Sequence, residues 1–312
     1  MSGSHARYRM ATLLLGLLLP AAPGVGAPIE GDESLITEVL AAQEKSKASL
    51  QTGSMYVRVE ERHTNGNRAD GEAYLVWKGP KTYWLYSAER LTWKPSGEEQ
   101  HHEEKYGEMI ETETERICYF PAWNLAQIDR SRNKQYRGHL DLRPDRAWFE
   151  MKGFAPFSSL LDPEFTGEAL SKYVIDQPSE NRIVVERHYK VGGLFRFTIA
   201  LDQGGNVIEY DTEMGDAKEG SWRHGVFEWE QHASGPWYLK RFKDTQSRHG
   251  DPDRPTSTFV IEVSDFDPAP EIAEDRFTFD SLKVPDGEKI AETDKDSRRS
   301  TYRLGKDGRR PK

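Results

Sequence analysis

Alternating apolar and polar positions recur along most of the chain and predict an antiparallel β-sheet. Residues 55–61 alternate Met, Val and Val with Tyr, Arg and Glu, which is the period of a strand with one buried face. Two strands rich in aromatic residues, 71–78 and 81–88, meet at Gly79-Pro80, a pair typical of turns. Six further strands are predicted, joined by short connections in which glycine recurs: 182–189, 194–201, 207–213, 222–231, 237–245 and 257–266. Connections this short favour a meander that curls.

Three segments depart from this alternation. Residues 33–50 carry apolar side chains at helical spacing and predict one amphipathic helix ahead of the sheet. Residues 98–115 are highly charged and are expected to form exposed hairpin edges, and residues 121–170 are interpreted as short helices and loops packed on the sheet. The predicted fold class is therefore mainly β (α+β). We expect a curled antiparallel sheet or half-open β-barrel, with the N-terminal helix and the short helices packed in or across its concave face.

The first 27 residues have the three-part pattern of a secretory signal peptide. Arg7 and Arg9 precede an apolar run at 10–19, and a stretch of proline, glycine and alanine follows. That apolar run is about half the ~20 residues that a membrane-spanning helix needs. We therefore expect a periplasmic or secreted protein with no transmembrane segment. Because the single cysteine, Cys118, lies far from the cleavage region, a lipid anchor at the cleavage point is not expected.

Charge divides the remaining chain into two unequal parts. The formal net charge is −9, and it becomes −11 without Arg7 and Arg9. Residues 294–312 hold eight basic and three acidic residues, so residues 28–293 stand near −16. We expect residues 28–293 to form a single domain and residues 294–312 to be a basic, disordered tail. A body this acidic repels nucleic acid, so a nucleic-acid partner is not expected.

Histidines do not form a recognisable metal-binding motif. His101 and His102 are adjacent, so their side chains diverge in a strand and in a helix alike. His188, His224 and His232 lie in or beside predicted strands, where a hydrogen-bonded or surface histidine is the common case. The sequence therefore predicts no metal site and no cofactor.

Nucleophilic catalysis has no clear sequence signal either. The chain lacks a Gly-x-Ser-x-Gly motif, and Cys118 lies between Ile117 and Tyr119, where a thiol usually behaves as a small buried apolar group. Acidic residues are so numerous that a glycosidase-type carboxylate pair is neither supported nor excluded. No catalytic residue is predicted.

Aromatic residues are the one compositional excess, with eight Trp, thirteen Tyr and thirteen Phe. They are typical of an ordinary aromatic core, of a concave apolar face that holds a hydrophobic ligand, or of exposed rings that stack on carbohydrate. For the concave face, the candidate lining residues are Leu75, Trp77, Tyr83, Leu85, Trp148, Phe149, Phe157, Phe197, Phe227 and Trp229.

Four segments carry a likeness to a known family: the helix at 34–50 running into strand 56–59, the hairpin at 200–207, the strands around Trp229 and 235–239, and the closing element from 272–277 to 284–287. In this order they resemble the periplasmic lipoprotein-sorting (LolA-like) superfamily. Its members are exported bacterial proteins whose half-open β-barrel, plugged by helices, binds lipid acyl chains. The chain differs in its greater length, its basic tail and the lack of an anchoring cysteine. The resemblance implies the fold and an apolar cavity, and it assigns no individual binding residue.

These observations favour an exported, non-enzymatic protein that binds a lipid or the acyl chain of a lipoprotein in an apolar cavity. The helix at 33–50 and the segment 148–161 are expected to act as a lid or plug. Two alternatives stay open. One is an envelope sensor or protein–protein interaction module, whose acidic outer face meets a cationic partner, and the other is a hydrolase.

Overall fold

The computed structural model describes residues 29–93, 99–131, 170–190, 192–214, 220–248 and 255–305. Within these ranges the chain forms one α-helix, α1 (Ser34–Ala48), and sixteen β-strands. The strands are β1 (Ile29–Glu30), β2 (Thr52–His63), β3 (Arg68–Lys78), β4 (Lys81–Trp93), β5 (Glu99–Glu111), β6 (Arg116–Phe120), β7 (Leu125–Asp129), β8 (Leu170–Ser179), β9 (Arg182–Tyr189), β10 (Leu194–Ala200), β11 (Asn206–Met214), β12 (Ser221–Gln231), β13 (Trp237–Arg248), β14 (Ser257–Asp267), β15 (Lys289–Thr293) and β16 (Arg299–Arg303).

All these strands belong to one open sheet, in the order β1-β8-β9-β10-β11-β12-β13-β14-β2-β3-β4-β5-β6-β7-β15-β16. Two antiparallel meanders, β2–β7 and β8–β14, meet where β14 pairs with β2, with Val263 opposite Val57. The pairs β1–β8 and β7–β15 are parallel. The predicted fold class is confirmed: the described chain is mainly β with one helix, and its large sheet is not closed.

Side-chain alternation gives the sheet two different faces. On β3, Leu75 and Trp77 join a large core together with Val39 of α1, whereas Tyr74 and Val76 join a second core on the opposite side. We call the side that carries α1 the inner face and the opposite side the outer face. The inner core extends from β8 across to β6, and the outer core covers β3 to β7. Short 3₁₀ turns at Glu274–Phe277 and Phe279–Leu282 contribute to the outer core.

Helix α1 lies on the inner face over the turn between β10 and β11. Its buried side chains are Leu35 and Val39, and Gln43 Nε2 donates a hydrogen bond to the Gly205 carbonyl at 2.9 Å. Gly205 has φ +71°, and a Cβ there would lie 2.9 Å from the Val39 carbonyl oxygen, so helix and turn approach closely because this residue is glycine. The observed helix matches the one predicted over 33–50.

The local structure differs from expectation in three places. In the charged segment expected to form hairpin edges, the strand is longer than expected: β5 pairs with β4 along most of its length and forms a hairpin with β6. Within the segment interpreted as helices and loops, Leu125–Asp129 is a strand, because β6 and β15 pair with it on both sides. Arg299–Arg303 of the expected disordered tail pairs with β15, and Leu304 beside it is buried in the outer core. The predicted signal peptide and the segment 148–161 lie outside the described residues.

Candidate functional site

Five of the candidate lining residues come together on the inner face. Leu75, Trp77 and Phe197 are fully buried, Phe227 is nearly so, and Trp229 is partly buried against them. The Phe227 ring stacks on Phe242 with 4.5 Å between centroids, and Trp229 Nε1 donates to the Val207 carbonyl at 2.8 Å. Among the described residues, their side chains therefore form part of a packed core.

Tyr83 and Leu85 lie on the outer face and cannot line the same concavity. They face Val76 and Tyr74 of β3 across the ladder, whereas Trp84 between them belongs to the inner core. Successive side chains of a strand point to opposite faces. Tyr83 and Leu85 therefore lie on the opposite side of the sheet from Leu75 and Trp77, with which they were grouped. The remaining candidates, Trp148, Phe149 and Phe157, lie outside the described residues.

Tyr83 is also engaged in polar contacts on that outer face. Its hydroxyl donates a hydrogen bond to Glu108 Oε2 at 2.8 Å, and the guanidinium of Arg276 lies 3.8 Å from the centre of its ring. Burial, followed by the hydrogen bond to the Glu108 carboxylate, raises the pKa of the Tyr83 hydroxyl. Through its contact with Arg276, Tyr83 links the turn at Glu274–Phe277 to β4.

Open space on the inner face occurs at the β6–β16 side of the sheet. A cavity of about 660 Å³ lies there, within the range of roughly 300–1,000 Å³ typical of ligand pockets. It is lined by residues of β6, β7, β15 and β16 and of the adjoining turns: Arg116, Cys118, Phe120, Gln127, Ile128, Asp129, Ser131, Ala291, Glu292, Thr293, Ser297, Arg299, Ser300 and Thr301. Cys118 also belongs to the inner core, and Phe120 packs against that core. The cavity and the inner core therefore share a wall residue, Cys118.

The cavity wall carries balanced charge. Arg116 forms an ion pair with Glu111 at 3.0 Å, and both side chains are less than 15% exposed. Asp129 Oδ1 accepts a hydrogen bond from the backbone N–H of Ser131 at 2.8 Å. Thr293, Ser300 and Thr301 also line the cavity, and its apolar lining residues are Cys118, Phe120, Ile128 and Ala291. Such a wall suits a guest with an apolar body and a polar end.

The Cys118 thiol is poorly suited to catalysis. Burial raises its pKa to about 12; Arg116 opposes this shift, and Glu111 and Asp129 add to it. A reactive cysteine needs a depressed pKa and an adjacent base, and no histidine is among the residues that line this cavity. The thiol is therefore a structural part of the cavity wall.

We expect Cys118 to react slowly with iodoacetamide in the folded protein. At pH 8 a thiol with a pKa of about 12 has about a thousandfold less thiolate than one at its ordinary value of 9.0. Labelling measured by mass spectrometry should be at least about a hundredfold slower in buffer than in denaturing urea. The rate should also rise with pH from 8 to 10. Equal rates in buffer and urea would show that the thiol is open to solvent.

A carboxylate is buried in the inner core on β13. Asp244 is 3% exposed, and its oxygens accept hydrogen bonds from the Tyr210 hydroxyl at 2.9 Å and from Arg223 at 2.5 Å. Burial, followed by the negative charge of Asp244, raises the pKa of Tyr210 well above its usual range. Gly225 lies beneath that ring, where an added Cβ would come within 2.0 Å of it. No motif along the chain indicated this cluster, because its members lie on three different strands.

Within the described ranges, no helix has both the length and the apolar character needed to cross a membrane.

No family model and no curated protein matches the chain. Among the solved structures that align with this chain are three that do so over most of its length at low identity. A LolA superfamily protein from Nitrosomonas europaea aligns with 78% of this chain and 99% of its own, at 10% identity and TM-score 0.43. A putative outer membrane lipoprotein-sorting protein domain from Vibrio parahaemolyticus aligns with 81% and 100%, at 9% identity and TM-score 0.44. A DUF1329 family protein from Desulfovibrio piger aligns with 79% and 98%, at 12% identity and TM-score 0.39.

Proposed function

We propose that this protein is an exported, non-enzymatic binding protein that holds an acyl chain of a lipid or of a lipid-modified partner on the inner face of its sheet. The observation that carries this proposal is the cavity of about 660 Å³ that shares Cys118 with the inner core. The N-terminal pattern of charged, apolar and small residues supports export to the periplasm or beyond. The sequence resemblance points the same way.

Apolar burial supplies the driving force for such binding. Each methylene group removed from water contributes roughly 0.8 kcal/mol. A chain entering beside Cys118 and Phe120 meets the apolar part of the wall, while its polar end stays near Thr293, Ser300 and Thr301. Because positive and negative charges balance in the cavity wall, burial of the acyl chain supplies most of the binding free energy and the headgroup contributes little.

A guest longer than the cavity requires the inner core to open. Helix α1 is the candidate lid, because few described contacts hold it on the sheet. Its buried side chains are Leu35 and Val39, and Gln43 donates a hydrogen bond to the Gly205 carbonyl. At its C-terminal end, Trp77 Nε1 donates to the Leu50 carbonyl at 2.8 Å and fixes the connection to β2. The helix would therefore swing about residues 49–52.

The test is binding of a fluorescent fatty-acyl probe by the purified protein, together with organic-solvent extraction of any lipid it carries. Replacing Ala291, a small residue of the cavity wall, by tryptophan should occupy part of the cavity. It should weaken probe binding by about tenfold or more, because two methylene groups kept out of the cavity already cost roughly 1.6 kcal/mol. Ala269→Trp is the matched control, because Ala269 is exposed and lies outside the cavity lining. It should bind as the unaltered protein does.

Two outcomes would contradict the proposal. The first is a protein that yields no lipid and binds no probe, and the second is an Ala291→Trp variant that melts normally and binds with unchanged affinity. Co-purification of a protein partner that is lost at high salt would instead favour the interaction module.

A further inference from the structure

Three potential metal ligands meet on the outer face, away from the cavity. Glu209 and Asp211 are two positions apart on β11, so both side chains point to the same face. His224 on β12 lies directly opposite Asp211 in the ladder. One ligand atom from each of the three side chains lies within 4.8 Å of the other two.

Their spacing is close to that of a coordination shell. His224 Nδ1 lies 2.8 Å from Asp211 Oδ1 and 3.8 Å from Glu209 Oε1. Zinc binds nitrogen and carboxylate oxygen at about 2.0–2.2 Å in tetrahedral geometry, which separates neighbouring ligand atoms by roughly 3.3 Å. Shifts of less than about 1 Å in the side-chain ends therefore bring these two distances to that value.

The histidine ring is already held in place. It stacks on Trp222 with 5.6 Å between ring centres and an angle of 4°. The side chains of His224, Asp211 and Glu209 are 30%, 25% and 45% exposed, so an ion from solvent can reach them. Paired strands fix the backbone beneath all three residues, which lowers the entropy lost when they close on an ion.

A cation on the neighbouring strand opposes metal binding. Arg196 on β10 stands opposite Asp211 in the ladder. The Arg196 guanidinium forms an ion pair with Glu186 at 2.6 Å. The negative charge of Glu186 therefore weakens the repulsion between Arg196 and a bound metal ion. Two carboxylates and one imidazole remain as ligands at the site.

We propose that Glu209, Asp211 and His224 form a three-ligand site for a divalent transition-metal ion, with zinc the best match to one nitrogen and two oxygen ligands. All-oxygen sites suit calcium and magnesium, so the imidazole directs the choice toward zinc. On binding, the ion replaces the hydrogen bond between His224 and Asp211, and its remaining positions are open to water or to a group on a partner. The proposal is independent of the acyl-binding function and departs from the sequence prediction of no metal site.

The test is a calorimetric titration of tag-free, chelator-treated full-length protein with zinc chloride at neutral pH. A single site is expected, weakened by about tenfold or more in His224→Gln and in Asp211→Asn, since each variant removes one of three ligands. His188→Gln is the matched control: His188 also contacts one carboxylate on the same face, Glu186 at 2.9 Å, and the described part of the chain places no second one beside it. It should leave the affinity unchanged.

Cobalt gives a second readout, because its visible absorption reports the ligand geometry directly. The unaltered protein should show a band that His224→Gln lacks. The proposal is overturned if zinc does not bind, or if His224→Gln binds zinc as tightly as the unaltered protein, which would assign the ion to other histidines. Circular dichroism of each variant separates loss of a ligand from loss of the fold.

Discussion

Replacing Asp244 by alanine is expected to lower the free energy of unfolding by about 3–5 kcal/mol, the range found when one partner of a buried ion pair is removed. The side chains of Asp244 and Arg223 are only 3% and 17% exposed, so Arg223 would lose this carboxylate in a place that water scarcely reaches. The Tyr210 hydroxyl would lose the same acceptor. Urea unfolding followed by tryptophan fluorescence measures the change.

Glu228→Ala provides the matched control for the Asp244 variant. Glu228 pairs with Arg241 at 3.5 Å on the same hairpin, but its side chain is 57% exposed. Exposed pairs contribute at most about 1 kcal/mol, so little change is expected. If both variants unfold at the same urea concentration, the buried cluster does not stabilise the sheet as described.

Trp77→Ala is expected to destabilise the protein by a similar amount, about 3–5 kcal/mol, because it empties a large space in the inner core. The Trp77 side chain is fully buried, and its ring stacks at 6.4 Å on Phe266. The neighbouring Gly53, where an added Cβ would fall 2.1 Å from the indole, has no side chain that could turn into the gap. The lost hydrogen bond to Leu50 adds to the cost.

Trp123→Ala makes the same chemical change at an exposed position. Trp123 is 59% exposed in the turn before β7, where it touches Phe120. Thermal melting of both variants should show a large fall in Tm for Trp77→Ala and a small one for Trp123→Ala. A Trp77→Ala variant with the same Tm as the unaltered protein would mean that the inner core closes around the gap at little cost in stability.

Much of the sheet could be predicted from sequence, because the evidence for a strand is local. Strands such as β3 and β4 can be recognised by their alternating apolar and polar residues and by the turn at Gly79-Pro80. β7 could not be found in this way. It is five residues long, and its second partner, β15, lies about 160 residues further along the chain.

The site was harder to predict than the fold. Leu75 and Tyr83 are both apolar residues of neighbouring strands, and only their register places them on opposite faces of the sheet. His224 had no acidic neighbour in its own strand, and its carboxylate partners come from β11 across the ladder. Pairings across strands are set by the whole fold, so no motif along the chain could show them.

The junction between β2 and β14 has a consequence for how the molecule is made. Val57 leaves the ribosome about 200 residues before its partner Val263. Until then, β2 is an exposed edge strand whose unpaired backbone N–H and C=O groups can hydrogen-bond to any extended peptide nearby. Contacts this far apart in the chain also slow folding. A holding chaperone that shields β2 should therefore raise the yield of folded protein more than faster synthesis would.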